Sequence, residues 1–375
     1  MATKAAAAKK APAKAPAKAP VKKAPAKKAT VKKAEAPKKL RVAIIGCGGI
    51  SHAHMAAYKS IPEVELVGFC DINPERLTEY QEKYGVKPEQ CFEKWDDLFK
   101  TVKPEAVDIC TPNGVHCPAA VAASEAGCHV MVEKPMAMTP DECEKMIAAA
   151  KKAGVKLQVG FNRRFDHNHR AVYEAIRAGK VGKVNLVKIS SRDPEPPTID
   201  YVKVSGGIFY DMMVHDFDMA RFLAGSEVTE VFAYGAVLVD PAIGEAGDVD
   251  TAVVSLKFAN GAMGVIDNSR KAVYGYDQRV EVFGSEGAVM DENDTPNNAT
   301  YYGADGTSSS PCYKIMWDRY TMAFAAEQRA FAEAVINGTE TQVTGEDGLA
   351  PILIAAAVTE SMKEGRPVKI SEIEG

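Results

Sequence analysis

The stretch LRVAIIGCGGISHAHMAAYKS, residues 40–60, constrains the fold more than any other. It reads as a short buried strand, a Gly-rich loop and the start of a helix. Gly46 and Gly48 permit a tight turn, and they let backbone N–H groups approach a pyrophosphate at a helix N-terminus. Such a loop has meaning only between a strand and a helix, and both are present. Ser51 stands where the third glycine of G-x-G-x-x-G belongs. It is small enough for close helix packing, and its hydroxyl offers an alternative phosphate contact.

The alternation continues. ELVGFCD (65–71) is a second strand, and PERLTEYQEKYG a helix with Pro74 suited to its first turn and Gly85 to its end. A third strand is weakly marked, with Cys91 and Phe92 as its remnant. AVDICTPN, HVMVEKP and VKLQVGFN are further strands, with the helical PAAVAASEAG between the first two. Thr139 to Glu142 forms a capping box that opens a helix running through Lys152. Alternating strands and helices imply a doubly wound parallel α/β sheet of Rossmann type.

The character changes after Asp166. A helix near 167–178 precedes five strand-like runs: KVNLVKISSR, TEVFAYGAVL, VDTAVVSLKF, GAMGVIDNSR and DQRVEVFG. Gly-rich turns such as ANGA and GSEGA separate some of them. Strands arriving consecutively imply a mostly antiparallel open sheet with helices on one side, an α+β domain. Helices near 317–336 and 345–363 close the chain. The expected organisation is a tail over 1–39, an NAD-binding Rossmann domain over 40–162, and an α+β substrate-binding and oligomerisation domain over 163–375. The last helix is free to pack back on the first domain.

Charge separates the tail from the rest. Thirteen Lys against Glu35 leave residues 1–39 at +12, so the remainder carries −16 of the chain's net −4. An acidic folded part argues against nucleic-acid binding there. The Lys/Ala/Pro tail has little to bury and is expected to be disordered. It is either a solvated extension or a tether to nucleic acid or another anionic surface. No secretory signal and no membrane span is read, which points to a cytoplasmic protein. The eight Cys form no C-x-x-C pair, so free, mostly buried thiols and no metal site are expected.

In a doubly wound sheet, ligands bind beyond the carboxyl ends of the strands. Cofactor candidates there are Gly46, Gly48, Gly49, Ile50, Asp71, Thr111, Pro112, Asn113 and Glu133. Asp71 ends the second strand, where a carboxylate accepts from the adenosine ribose hydroxyls and repels a 2′-phosphate. That favours NAD over NADP. Lys134, in MVEKPMA, can hydrogen-bond a substrate oxygen and stabilise alkoxide character. Farther on, GGIFYDMMVHDFDMARF places Asp211 and His215 four residues apart, on one face of a helix.

The segments RVAIIGCGGIS, CTPN, EKP, VGFNRRFD, SSRDPEPP, GGIFYDMMVHDFDMARF and SRKAVYGYDQRVEVFGSEG together resemble the Gfo/Idh/MocA oxidoreductases, in their inositol 2-dehydrogenase branch. That resemblance implies a Rossmann domain joined to an α/β domain whose open sheet makes tetramer contacts. It implies NAD-dependent oxidation of myo-inositol, with scyllo-inositol or another polyol or sugar as the alternative substrate. It places Lys134, Asp211 and His215 at the reacting carbon, with His215 as base and Asp211 orienting the imidazole or holding a neighbouring hydroxyl. A polyol needs many hydrogen bonds. Arg164, Asp193, Tyr274 and Tyr276 are the further substrate candidates, each with a structural alternative. His116 either lines the nicotinamide side or begins a helix. A reading from another class is a non-catalytic NAD(H) sensor tethered by its tail.

Overall fold

A computed structural model describes residues 38–373, so the expectation for the tail falls almost wholly outside them. The chain from Lys38 onward forms one compact unit. Its first sheet holds β1 (Leu40–Ile45), β2 (Val64–Cys70), β3 (Cys91–Phe92), β4 (Ala106–Ile109), β5 (His129–Glu133) and β6 (Leu157–Gly160). All pairings are parallel, in the order β3-β2-β1-β4-β5-β6. The connecting helices are α1 (Ser51–Lys59), α2 (Pro74–Tyr84), α3 (Trp95–Val102), α4 (His116–Glu125) and α5 (Pro140–Ala153). Helices cover both faces, which is why β4 and β6 are buried at every residue rather than alternately. Pro74 opens α2 and Gly85 ends it as expected, with Asn73 as the cap. At α5 half of the expected capping box forms, Thr139 accepting from the Glu142 amide while the Glu142 carboxylate takes the Met138 amide.

Strand order reverses between β1 and β4, so the loops leaving these neighbours diverge and open a crevice. Gly46 makes the approach possible. Its φ is 93°, and a Cβ there would lie 2.6 Å from the Cys110 carbonyl carbon.

The rest of the chain supplies α6 (His167–Arg177), β7 (Val184–Arg192), α7 (Ile199–Ser205), α8 (Gly207–Asp211), α9 (Val214–Ala224), β8 (Val228–Ala236), α10 (Pro241–Glu245), β9 (Thr251–Phe258) and β10 (Met263–Ser269). There follow β11 (Asp277–Gly284), β12 (Ala288–Asp291), the hairpin β13 (Thr300–Gly303) and β14 (Gly306–Ser309), α11 (Met316–Asn337), α12 (Gly345–Glu364) and β15 (Val368–Lys369). The second sheet runs β12-β11-β7-β10-β9-β8-β15, and only β7 and β10 pair in parallel. Burial alternates along β9, with one face on the core and the other outward. Helices α9 and α12 pack on the inner face. The outer face presents Tyr234, Val253, Met263, Phe283 and Met290.

One expectation needs correction. The segment 206–222 is not one helix: it breaks at Met212–Met213 into α8 and α9. Both closing helices, not only the last, reach the first sheet layer: α11 packs on α1, and α12 on α5 and β6. The strands β12 to β15 and the short helices α3, α7 and α10 were not read from the sequence.

Candidate active site

A groove runs over the crevice between β1 and β4. One end is lined by Gly46, Asp71, Trp95, Thr111 and Pro112. It continues past Thr111, Pro112 and Asn113 to Glu133, Lys134 and His215. A Cβ at Gly48 or Gly49 would meet nothing within 4 Å, so their backbone faces open space. Helix α1 begins at once, and Ile50 gives its first turn no side-chain cap. The His52 and Ala53 amides are taken by the Gly49 and Ile50 carbonyls, so the N–H groups left for an anion are those of the loop itself, at Gly48, Gly49 and Ile50. The Asp71 carboxylate stands at the same end and accepts from the Cys47 and Asn73 amides, both at 2.8 Å. A dinucleotide fits this groove: open backbone for the pyrophosphate, a carboxylate for the ribose. The Ser51 hydroxyl is buried against the Gly48 carbonyl and the Tyr80 hydroxyl, so it serves packing rather than phosphate.

At the other end the chemistry residues meet. Lys134 follows β5 directly, in a cis Lys134–Pro135 peptide. Its ammonium donates to the Asp211 carbonyl at 2.9 Å and to Asp211 Oδ1 at 3.4 Å. The same Oδ1 accepts from the Tyr201 hydroxyl at 2.9 Å, and Oδ2 from Arg270 at 3.2 Å. Burial would raise the Asp211 carboxyl, but Lys134 and Arg270 outweigh it and hold it below the usual range. Asp211 is therefore an ionised anchor for three donors. It does not orient His215. The helix break sends the two side chains to different partners.

His215 lines the cleft and packs edge-on against Phe161, with ring centroids 6.0 Å apart. Its Nδ1 is buried without a partner. Burial, then the positive charges of Arg163 and Lys134, press its pKa well below the ordinary value. The imidazole is neutral near pH 7 and holds a lone pair for a proton. Asp193, half-buried, lies in the field of Arg270, Asp211, Arg163 and Lys134, and burial pushes its carboxyl up to about 6.

Other candidates go elsewhere. Arg164 is committed to Asp218 at 2.8 Å and Asp347 at 2.9 Å, away from the cleft, while Arg163 takes Asp216 at 2.6 Å. The short helical turn 162–165 points the adjacent arginines at different acids. Tyr274 bonds Asp277 and Arg192 and does not line the cleft. Tyr276 is buried edge-on against Tyr320. His116 begins α4, and its ring lies 2.8 Å from the Pro135 carbonyl and 2.9 Å from that of Thr111. It ties the two strand-end loops together beneath the groove. Tyr201, Arg270, Asn162 and Trp317 were not foreseen; Asn162 beside the two arginines was the one visible signal.

All eight cysteines are free, and six are buried. Among the described residues no helix is long and apolar enough to cross a membrane.

Comparison with known proteins places this geometry. Residues 40–161 match the GFO_IDH_MocA oxidoreductase family, NAD-binding Rossmann fold, and residues 169–290 match the GFO/IDH/MocA C-terminal domain. The myo-inositol 2-dehydrogenase of Thermotoga maritima is 43% identical over 336 residues, covering 90% of this chain and 100% of that one. The inositol 2-dehydrogenase of Rhizobium meliloti is 40% identical over 88% of this chain and 99% of its own. The crystal structure of scyllo-inositol dehydrogenase from Lactobacillus casei with bound NAD(H) and scyllo-inositol superposes with a TM-score of 0.83 at 27% identity, covering 89% of this chain and all of that one.

Proposed function

This chain belongs to the Gfo/Idh/MocA oxidoreductase family, and on that footing we propose that it oxidises myo-inositol to the 2-keto product with NAD. The observation that carries the reading is the meeting of an anchored ammonium, Lys134, and a neutral imidazole, His215, in one cleft at the end of a dinucleotide groove. The cofactor, when bound, accepts hydride at its nicotinamide ring. The loop of Gly46, Gly48, Gly49 and Ile50 ahead of α1 would hold its pyrophosphate side, and Asp71 its ribose. His215 removes the proton of the reacting hydroxyl. Lys134 hydrogen-bonds the same oxygen and stabilises its negative charge as the C–H bond breaks. Asp211 keeps the ammonium in place. Asp193 and Tyr201 are the groups for neighbouring hydroxyls.

The outer face of the second sheet supports a homo-oligomer: five large apolar side chains stand exposed on five of its seven strands. Light scattering of the purified protein tests it, and a monomer at micromolar concentration contradicts it.

The test of function is NADH formation with myo-inositol, scyllo-inositol, glucose and xylose, each with NAD or NADP. Myo-inositol with NAD is expected to lead. Preference for scyllo-inositol keeps the site and moves the substrate. Silence from a protein that still binds NADH favours the sensor reading.

A further inference from the structure

Beneath the groove lies a second cluster of ionisable groups that the reaction above does not use. His54, on α1 three residues past Ser51, is fully buried. Its Nδ1 is 2.8 Å from Asp108 Oδ2, and its Nε2 is 2.9 Å from Glu133 Oε1. The second approach lies off the N–H axis, so it is an ion-pair contact rather than an aligned hydrogen bond. The other Glu133 oxygen, Oε2, accepts from the Lys134 amide at 3.1 Å. Cys110 Sγ sits 3.5 Å and Gln328 Nε2 2.9 Å from the same Nδ1, and turning that amide over would bring its unpartnered oxygen to the ring N–H instead. Glu327 is buried with both carboxyl oxygens unpartnered. Burial and the neighbouring Glu133 keep it in its acid form.

These groups come from four elements. Helix α1 follows the Gly-rich loop, β4 leads to Thr111, β5 leads to Lys134, and α11 arrives from the C-terminal part of the chain. A charged imidazole in such a place is costly unless carboxylates surround it. Burial opposes charge on His54, yet Asp108 outweighs it, with Cys110 assisting, and its pKa lies well above the ordinary value.

We propose that His54 is the positioning residue for Lys134: clamped between Asp108 and Glu133, it fixes the carboxylate that holds the Lys134 amide. The inference rests on the reading that Lys134 serves the reacting oxygen. Reach and charge agree with it. A line of contacts runs from Asp108 through the ring and the Glu133 carboxyl to the Lys134 main chain, and every side chain in it is at least nine-tenths buried. The ammonium is held at its far end by Asp211, so Lys134 is gripped at both ends of its side chain.

The experiment combines kinetics with nitrogen NMR of the imidazoles on the full chain. In His54→Gln, kcat is expected to fall on the order of tenfold, with KM for the polyol and NADH affinity within about threefold of wild type. Glu133→Gln keeps the shape but loses the charge, and the double variant is expected to be no worse than the poorer single one, because residues in one line are not additive. The wild-type His54 ring is expected to carry both N–H protons at pH 8. Full kcat in a folded His54→Gln, additive losses, a neutral His54 ring at pH 8, or a stoichiometric metal ion bound at the cluster would each overturn the proposal. Should His54→Gln not fold, Glu133→Gln and the wild-type spectrum decide. Should no polyol turn over, the proposed function fails, and the spectrum still tests the clamp separately.

Discussion

The floor of the cleft holds a fully buried histidine and its wall a half-buried one, and they sit in opposite company. On the floor, His54 faces Asp108 and Glu133 and is held charged. On the wall, His215 faces Arg163 and Lys134 and is held neutral. Both rings leave water for the protein interior, which by itself disfavours charge in each. Neighbours decide the outcome. The floor is built from the ends of parallel strands, where acidic side chains follow β4 and β5 inward. The wall is a broken helix facing arginines and a lysine from other elements. One histidine thereby becomes a fixed cation suited to holding carboxylates, the other a base suited to taking a proton.

The sharpest way to break this contrast is at the wall. His215→Gln removes the base and leaves the groove intact, so kcat should drop by about 10²–10⁴-fold while NADH affinity, read by fluorescence, stays near wild type. A loss confined to KM would show that His215 only binds substrate. A smaller effect is expected at the ribose end of the floor. Asp71→Ser removes hydrogen bonds to a charged acceptor and a source of repulsion, so the NAD over NADP ratio of kcat/KM should fall by roughly 10–100-fold. An unchanged ratio would mean that specificity is set elsewhere.

Smaller still is a pH effect at the wall. Burial places the Asp193 carboxyl near 6. As an acceptor for a substrate hydroxyl it works ionised, so kcat/KM should decline as pH falls through about 6. Asp193→Asn should lack that limb and show a lower plateau. A limb that persists in the variant belongs to another group.

The smallest expected effect lies outside both sites. Asp291, beside Asp166, His169 and Arg319, is pushed up to about 7 by burial against the pull of Arg319. An acid whose folded pKa lies above its unfolded value contributes stability at low pH that is lost as pH rises through about 7. Asp291→Asn should therefore raise the melting temperature by a few degrees at pH 8, and by less at pH 5. Equal shifts at both pH values would show that Asp291 does not titrate there.

Much of this molecule is written locally in its sequence. Apolar runs with Gly and Pro near their ends marked five of the parallel strands, while β3 left only the weak remnant Cys91–Phe92. Gly46, Asp71, Thr111 and Lys134 could be singled out because strand ends and loops in a doubly wound sheet have fixed places relative to its ligand, whereas His215, on α9, stood out by its spacing from Asp211 and by the family resemblance. Pairings between distant residues were not. Lys134 meets Asp211 across 77 positions, Asp211 meets Arg270 across 59, and His54 meets Gln328 across 274. Arg164 takes its structural alternative, pairing Asp218 and Asp347; adjacent residues of a tight turn point at different acids, and nothing local shows which partner each reaches. The shared helix face expected for Asp211 and His215 is lost at the break between α8 and α9, which leaves Asp211 with Lys134, Tyr201 and Arg270 while His215 faces elsewhere. The outward strand β12 and the hairpin β13–β14 carry few buried residues, so they leave little pattern to read.

The most direct measurement is NADH formation from myo-inositol and NAD by wild type and Lys134→Ala, with NADH binding recorded on the same samples. Wild type should form NADH, and the variant should bind the cofactor yet lose turnover by at least about 10²-fold. A variant that turns over at the wild-type rate, or a wild type that binds NADH and oxidises no polyol, would contradict the assignment of this cleft as the site of polyol oxidation.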